Sequence, residues 1–207
     1  MTKIELFSDV VCPWCYLGAV RIERVLATVP HPVDLIYRPF LLQGDVPPEG
    51  IDIASMLRQR YGVAPAQAFA RVEAAARDSE LELDLRKQPR TYSSVMAHTL
   101  LRHAEFLGTQ RALARALFVT HFDEAQNISD VEVLIPLAVA YGFNEAEARA
   151  LLADEHERHQ TLMMAEAAAL TGIRAVPFYV FNGKTAISGA QPESVLRAAV
   201  GKAPHLG

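Results

Sequence analysis

Cysteine is scarce in this sequence of 207 residues, which contains two cysteines and one tryptophan. So few cysteines exclude a fold built on a framework of several disulfide bonds. Lysine and arginine number 20 against 24 aspartate and glutamate residues, and the formal net charge is −4. That balance lacks the basic excess typical of nucleic-acid-binding proteins. No apolar run approaches the roughly 20 residues of a membrane-spanning helix, so no membrane span is predicted.

Apolar residues, in contrast, are plentiful. With 51% hydrophobic residues, the chain can bury a full core in one compact unit and does not need disulfides for stability. The first residues, Met-Thr-Lys, lead directly into a predicted strand and lack the charged and apolar regions of a secretory signal. We therefore expect a cytoplasmic location. In that reducing compartment, one pair of nearby cysteines is more typical of catalysis than of a structural bridge.

Both cysteines lie in one short motif, Cys12-Pro13-Trp14-Cys15, directly after a predicted strand at residues 4–7. Proline is favoured at the first position of a helix, so Pro13 predicts that Cys12 is the N-cap. Free N–H groups and the positive end of the helix dipole favour a thiolate there, which makes Cys12 the expected nucleophile. Cys15, one turn further along, is expected to stay protonated until it resolves a mixed disulfide on Cys12.

Other interpretations of the motif are weaker. Structural zinc needs four ligands, there is no second cysteine pair, and the seven histidines do not follow zinc-finger spacing, so no metal is predicted. An inert buried pair is not typical of a motif with proline at the first helical position. Two neighbouring side chains keep two interpretations each. Trp14 either contacts substrate or packs over the helix end, and Asp9 either accepts a proton or stabilises a turn.

The pattern of the chain predicts an α/β fold. A helix from Pro13 to about residue 27 and an alternating strand at residues 33–38 complete a strand–helix–strand unit. Proline and glycine residues then interrupt the pattern, and helix signals dominate from about residue 52 to residue 170. We predict that residues 49–171 form an all-helical insertion domain.

The last part of the chain returns to strand patterns. Apolar residues 178–181 and residues 184–188 flank Asn182-Gly183, which predicts a two-residue type I′ hairpin, and a final helix follows. Residues 1–48 and 172–207 are therefore predicted to form one discontinuous domain. Its βαβ and ββα units would share a mixed four-stranded sheet with helices on both faces.

A proline directly precedes the hairpin, in Val176-Pro177. Such a proline either marks a strand boundary or forms a cis peptide bond that exposes the preceding backbone. If the sheet brings Pro177 beside Cys12, the backbone of Val176 can pair with an extended peptide held in a mixed disulfide. Trp14, Val176 and Pro177 are therefore the predicted substrate contacts.

Three segments and the helical domain between them resemble the DsbA-like thioredoxin-fold family, most closely its FrnE-like branch. These segments are Cys-Pro-Trp-Cys-Tyr-Leu-Gly at residues 12–18, Val-Pro-Phe at 176–178 and Ile-Ser-Gly-Ala-Gln-Pro at 187–192. The resemblance covers nearly the whole chain. It implies a thioredoxin-like fold with a helical insertion, an attacking Cys12, a resolving Cys15 and a cis Pro177. Ala97-His98 and Asn127 to Asp130 also look like stretches that recur in this branch.

The resemblance implies a thiol–disulfide oxidoreductase that acts as an oxidase, a reductase or an isomerase of disulfides. Its expected partners are proteins or peptides with thiols or disulfides, and glutathione or another thiol protein would reset the dithiol without a resident cofactor. An alternative on the same fold is a glutathione-dependent enzyme, either a 2-hydroxychromene-2-carboxylate isomerase or a kappa-class transferase. Such enzymes commonly have serine where Cys12 lies. A binding or chaperone module with a vestigial motif is a third alternative.

Overall fold

The computed structural model describes residues 2–202, which contain six strands and nine helices. In chain order these elements are β1 (Thr2–Ser8), α1 (Pro13–Leu26), β2 (Val33–Pro39), β3 (Ile51–Asp52), α2 (Ile53–Tyr61), α3 (Pro65–Arg77), β4 (Arg90–Thr91), α4 (Val95–Phe106), α5 (Gln110–Phe122), α6 (Val131–Ala140), α7 (Glu145–Ala153), α8 (Glu155–Leu170), β5 (Phe178–Phe181), β6 (Thr185–Ser188) and α9 (Glu193–Lys202). Met1 and residues 203–207 lie outside the described part.

The predicted mixed four-stranded sheet is confirmed. Its strand order is β2-β1-β5-β6, with β1 parallel to β2 and antiparallel to β5, and with β5 antiparallel to β6. The βαβ unit of β1, α1 and β2 therefore shares one sheet with the ββα unit of β5, β6 and α9. Helices α2 to α8 follow one another between β2 and β5, as the thioredoxin-like fold with a helical insertion predicted. The domain boundaries at residues 48/49 and 171/172 stay a prediction.

The core lies where α1 packs against the central strands. In β1 the period-2 pattern buries alternate side chains, and Ile4 and Leu6 are completely buried. Leu17 and Ile22 of α1 and Tyr179 of β5 are equally inaccessible. Because β1 is a central strand and leads directly into α1, the start of this helix is held by the most buried part of the molecule.

The insertion helices pack on α1 and on the edge strand β2. Tyr16 of α1 stacks on Phe118 and Phe122 of α5, with ring centroids 5.2 Å and 5.8 Å apart. The side chain of Gln110 accepts a hydrogen bond from the Tyr37 N–H and donates one to the Tyr37 carbonyl. This amide covers backbone groups that an exposed edge strand would leave unpaired.

Two local features differ from the sequence prediction. The hairpin turn has positive φ at both Asn182 and Gly183, as a type I′ turn requires, and the Lys184 N–H donates to the Phe181 carbonyl. However, Phe181 pairs with Thr185, so Lys184 is an extra residue and the loop is one residue longer than predicted. The short ladder between β3 and β4 was also not predicted, because two-residue strands carry no periodic signal.

Gly18 lies where α1 crosses the start of β5. A Cβ atom at this position would lie 2.5 Å from the Tyr179 hydroxyl and 2.7 Å from Cγ of Pro177. The Pro177 ring is rigid and Tyr179 is completely buried, so neither group has room to retreat. We expect Gly18→Ala to lower the free energy of unfolding by about 2 kcal/mol, as overpacking does, measured by urea denaturation.

Gly201 in α9 is the matched control, because a Cβ atom there meets nothing within 4 Å. Gly201→Ala is expected to raise the free energy of unfolding by up to about 1 kcal/mol through helix propensity alone. If Gly18→Ala stabilises the protein by a similar amount, close packing against Pro177 and Tyr179 is not the reason for glycine at position 18.

Candidate active site

Cys12 is the N-cap of α1, as predicted. Its backbone is extended, with φ −95° and ψ 114°, and Pro13 occupies the first helical turn. The Cys12 N–H donates to the Asp9 carbonyl at 3.0 Å, and the Cys12 carbonyl accepts from the N–H groups of Cys15 and Tyr16. The Cys12 side chain makes no capping hydrogen bond to the helix. Its sulfur therefore lies at the positive end of the helix dipole without being used as a cap.

The fold brings Val176 and Pro177 to Cys12. The Sγ atom of Cys12 lies 3.9 Å from the Val176 carbonyl oxygen, although 164 positions separate these residues in the chain. The Val176–Pro177 peptide bond is cis, as the family resemblance implied. The register of β1 against β5, in which Phe7 pairs with Phe178, holds this segment beside the end of β1. The predicted neighbourhood of Cys12 is thus confirmed, whereas its use in substrate binding is a separate proposal.

Cys15 is completely buried, and Cys12 is 4% exposed. Burial raises the pKa of the Cys15 thiol well above its usual range, and the hydrogen bond to Cys12 and the charge of Cys12 add to this effect. The nearby Asp9 backbone and Ser8 side chain lower the pKa of Cys15 and act in the opposite direction. At neutral pH, Cys15 therefore holds its proton while Cys12 is free.

Trp14 is half-buried against the core. The exposed Arg71 side chain of α3 lies over its indole ring, with 5.9 Å between the guanidinium carbon and the ring centroid. This contact is a cation–π interaction. The tryptophan thus packs against the core at the start of α1, and its use as a substrate contact stays a prediction.

The buried carboxylate of Asp9 lies in the loop between β1 and α1. It is 1% exposed, and it accepts hydrogen bonds from the N–H groups of Leu42 at 2.8 Å and Val11 at 3.4 Å. Asp9 therefore stabilises a turn, which is one of its two predicted roles. Its Oδ1 atom also lies 3.6 Å from Nε2 of His98 in α4. The sequence analysis did not connect these two residues, because 88 intervening positions carry no spacing signal.

The model of the DSBA-like thioredoxin domain family matches residues 3–201. The chain belongs to this family. It is similar to the crystal structure of a probable DsbA oxidoreductase from Streptomyces coelicolor, with 31% identity, a TM-score of 0.86 and coverage of 100% of this chain and 93% of that one. The family is one of thiol–disulfide oxidoreductases, which agrees with the motif at Cys12 and Cys15.

Two further proteins are similar over nearly their full lengths. The uncharacterized protein YwbO of Bacillus subtilis is 24% identical over 201 residues, which cover 95% of this chain and 94% of that protein. The cytosolic disulfide reductase DsbM from Pseudomonas aeruginosa, solved with GSH, is 17% identical with a TM-score of 0.68, covering 96% and 97% of the two chains. At this identity the two structures share the fold. Membership of the FrnE-like branch stays a prediction.

A second histidine of this DSBA-like protein lies near Asp9. His121 of α5 is completely buried and packs edge-on against Phe122, with ring centroids 4.6 Å apart. Burial lowers the pKa of His121 to about 4, and the Asp9 charge only partly opposes this shift. His121 is therefore neutral at pH 7. The sequence analysis treated it as one of several scattered histidines.

Residues 127–130, the other stretch noted in the family resemblance, form the turn and the N-cap at the start of α6. The Asn127 side chain accepts hydrogen bonds from the N–H and the hydroxyl of Ser129. Asp130 is the N-cap, and its carboxylate accepts from the Glu132 N–H. These contacts are local turn and capping bonds.

Among all the helices of residues 2–202, none is both long enough and apolar enough to cross a membrane.

Proposed function

We propose that this protein exchanges thiols and disulfides through Cys12 and Cys15. The observation that carries this proposal is the position of Cys12 at the start of α1, beside the Val176 carbonyl and in front of a buried Cys15. One face of the Cys12 sulfur is thus directed at a backbone edge, and a second thiol lies one helical turn behind it. Membership of a thiol–disulfide oxidoreductase family supports the same chemistry.

The reaction proceeds in two exchanges. The Cys12 thiolate attacks one sulfur of a partner disulfide, so that a mixed disulfide forms and the other partner sulfur leaves as a thiolate. Cys15 then loses its proton and attacks the Cys12 sulfur, which forms the Cys12–Cys15 disulfide and releases the second partner thiolate. The partner gains two electrons and the protein loses two. The same steps in reverse transfer the disulfide to a reduced partner.

The surroundings of Cys15 fit the order of these steps. Two of the causes that raise its pKa, the hydrogen bond to Cys12 and the charge of Cys12, depend on a free Cys12. Once Cys12 is tied in a mixed disulfide, these two causes no longer raise the pKa of Cys15, while the nearby polar groups of Ser8 and Asp9 still act to lower it. Cys15 therefore ionises more readily at the point where it must attack.

The proposed partner is an extended segment of a protein or peptide that contains a thiol or a disulfide. Cys12 is only 4% exposed, so a partner sulfur must reach it on a narrow, protruding segment. We assign the backbone of Val176, the ring of Pro177 and the edge of Trp14 as the contacts of this segment. Glutathione or another thiol protein acts as the redox partner and not as a resident cofactor.

The decisive measurement is the reduction potential of the Cys12–Cys15 pair in graded glutathione buffers, with free thiols trapped at each point. We expect one reversible two-electron transition. A value near −120 to −180 mV would indicate an oxidase or isomerase, and one near −270 mV would indicate a reductase. If no reversible couple forms, the exchange proposal is wrong, and a glutathione-dependent isomerase or transferase becomes the better interpretation.

A further inference from the structure

A buried carboxylate, that of Asp9, lies in the loop that leads from β1 into the Cys12–Cys15 motif. Asp9 lies three residues before Cys12 and is 1% exposed, and its backbone carbonyl bonds directly to the Cys12 N–H. A carboxylate and a thiolate close together in a buried site repel each other more strongly than they would in water. The Asp9 charge therefore opposes the thiolate that exchange requires, unless a neighbouring group offsets it.

Groups from several elements face the Asp9 carboxylate. The N–H groups of Val11 and Leu42 donate to it as fixed dipoles. His98 of α4 approaches Oδ1 at 3.6 Å, and the Asp9 charge also acts on His121 of α5. Because the pKa of His121 is about 4, His121 carries no charge at pH 7. His98, with Nε2 at 3.6 Å from Oδ1, is the side chain that lies at ion-pair distance from the Asp9 carboxylate.

We propose that Asp9 and His98 form a positioning pair that sets the reduction potential of the Cys12–Cys15 couple. The inference rests on the proposed exchange function. The Asp9 carboxylate disfavours negative charge on the Cys12 sulfur in the reduced form, and the His98 ring, whose Nε2 lies 3.6 Å from Oδ1 of Asp9, offsets that effect. The disulfide form carries no charge on sulfur, so the pair acts almost entirely on the reduced form. Neither side chain touches the partner sulfur.

The electron balance gives each substitution a direction. In the assay, the Cys12 thiolate, the Cys15 thiol, one proton and glutathione disulfide become the protein disulfide and two glutathione thiols. Asp9→Asn removes the negative charge, stabilises the thiolate and makes the protein more oxidising. His98→Gln leaves the Asp9 charge unbalanced, destabilises the thiolate and makes the protein more reducing. A purely structural role for either residue predicts no such opposite shifts.

The test compares wild type, Asp9→Asn, His98→Gln and the double variant in graded glutathione buffers at pH 7. Each single variant is expected to move the equilibrium constant with glutathione about tenfold, in opposite directions, which corresponds to about 30 mV each. The double variant is expected to lie between the two single variants. His103→Gln is the matched control, because His103 lies on the same helix and bonds a carboxylate, Glu157, at 2.8 Å. It is expected to leave the potential unchanged.

The outcomes separate this inference from the proposed function. If the wild type has no reversible couple, both the proposed exchange function and the inference about Asp9 and His98 are wrong. If the wild type has a couple but the two single variants shift it in the same direction or not at all, only the inference is wrong. If Asp9→Asn does not fold, His98→Gln and His98→Asn decide the question, because both are expected to make the protein more reducing than His103→Gln. A potential equal to that of the control in both variants overturns the inference.

Discussion

Replacing Cys15 with serine is expected to trap the protein on its partner, whereas replacing Cys12 with serine is expected to abolish capture. Cys12 is the thiol beside the Val176 carbonyl, and Cys15 is completely buried behind it. A serine hydroxyl cannot form a disulfide, so Cys12→Ser reduces exchange to the background rate. In Cys15→Ser the first exchange still proceeds, but no second thiol remains to release the partner.

The measurement is mass spectrometry of each variant after incubation with glutathione disulfide or a disulfide-containing peptide. The chain has no other cysteine, so any mixed disulfide in a single variant must lie on the remaining thiol. The double serine variant gives the background. Full turnover by Cys15→Ser would contradict a resolving role and favour glutathione chemistry on one thiol. Undiminished activity of Cys12→Ser would instead favour a vestigial motif.

The protein is expected to lose stability as the pH falls from about 6.5 to about 4, and protonation of His121 in the unfolded chain is one cause of this loss. Burial lowers the pKa of His121 from 6.5 to about 4 in the folded state. Over this range the unfolded chain binds a proton at His121 and the folded protein does not, so acidification favours unfolding. Near pH 4, this one side chain lowers the free energy of unfolding by about 3 kcal/mol, and above about pH 7 the effect is absent.

Urea denaturation across this pH range measures the effect as the slope of the unfolding free energy against pH. Carboxylates also titrate below pH 5, so wild type is compared with His121→Gln, in which the contribution of His121 is removed. The slope between pH 6.5 and pH 5 is expected to flatten in this variant. His156→Gln, at an exposed position of α8, is the control and should keep the wild-type slope. Equal slopes in all three proteins would contradict the prediction.

The candidate site combines two parts of the chain with different tasks. The strand β1, the start of α1 and the Val176–Pro177 segment provide the thiols and the backbone edge beside them. Helices of the insertion provide groups that contact the sequence neighbours of the thiols, namely Arg71 over Trp14 and His98 beside Asp9. The insertion is therefore part of the chemical environment of the motif, and changes in its helices are expected to alter the redox properties of the thiols.

Signals within a few residues of one another were sufficient for the local parts of this protein. Pro13 placed Cys12 at the N-cap, and Asn182-Gly183 marked the hairpin, because proline and asparagine–glycine restrict backbone angles in any context. The alternating pattern of β1 likewise identified a buried strand. The prediction of a cis bond at Pro177 came from the family resemblance, since most X–Pro peptide bonds in folded proteins are trans.

The sequence by itself therefore determined which residues can carry out exchange and which elements hold them, because capping, turns and periodicity act over short distances. Only the tertiary structure decided which side chains surround the thiols. The meeting of Asp9 with His98, the buried state of His121 and the close packing of Gln110 on β2 all depend on how α4 and α5 pack against the sheet. Such contacts join residues far apart in the chain, and their energies depend on burial and distance, which local patterns do not encode.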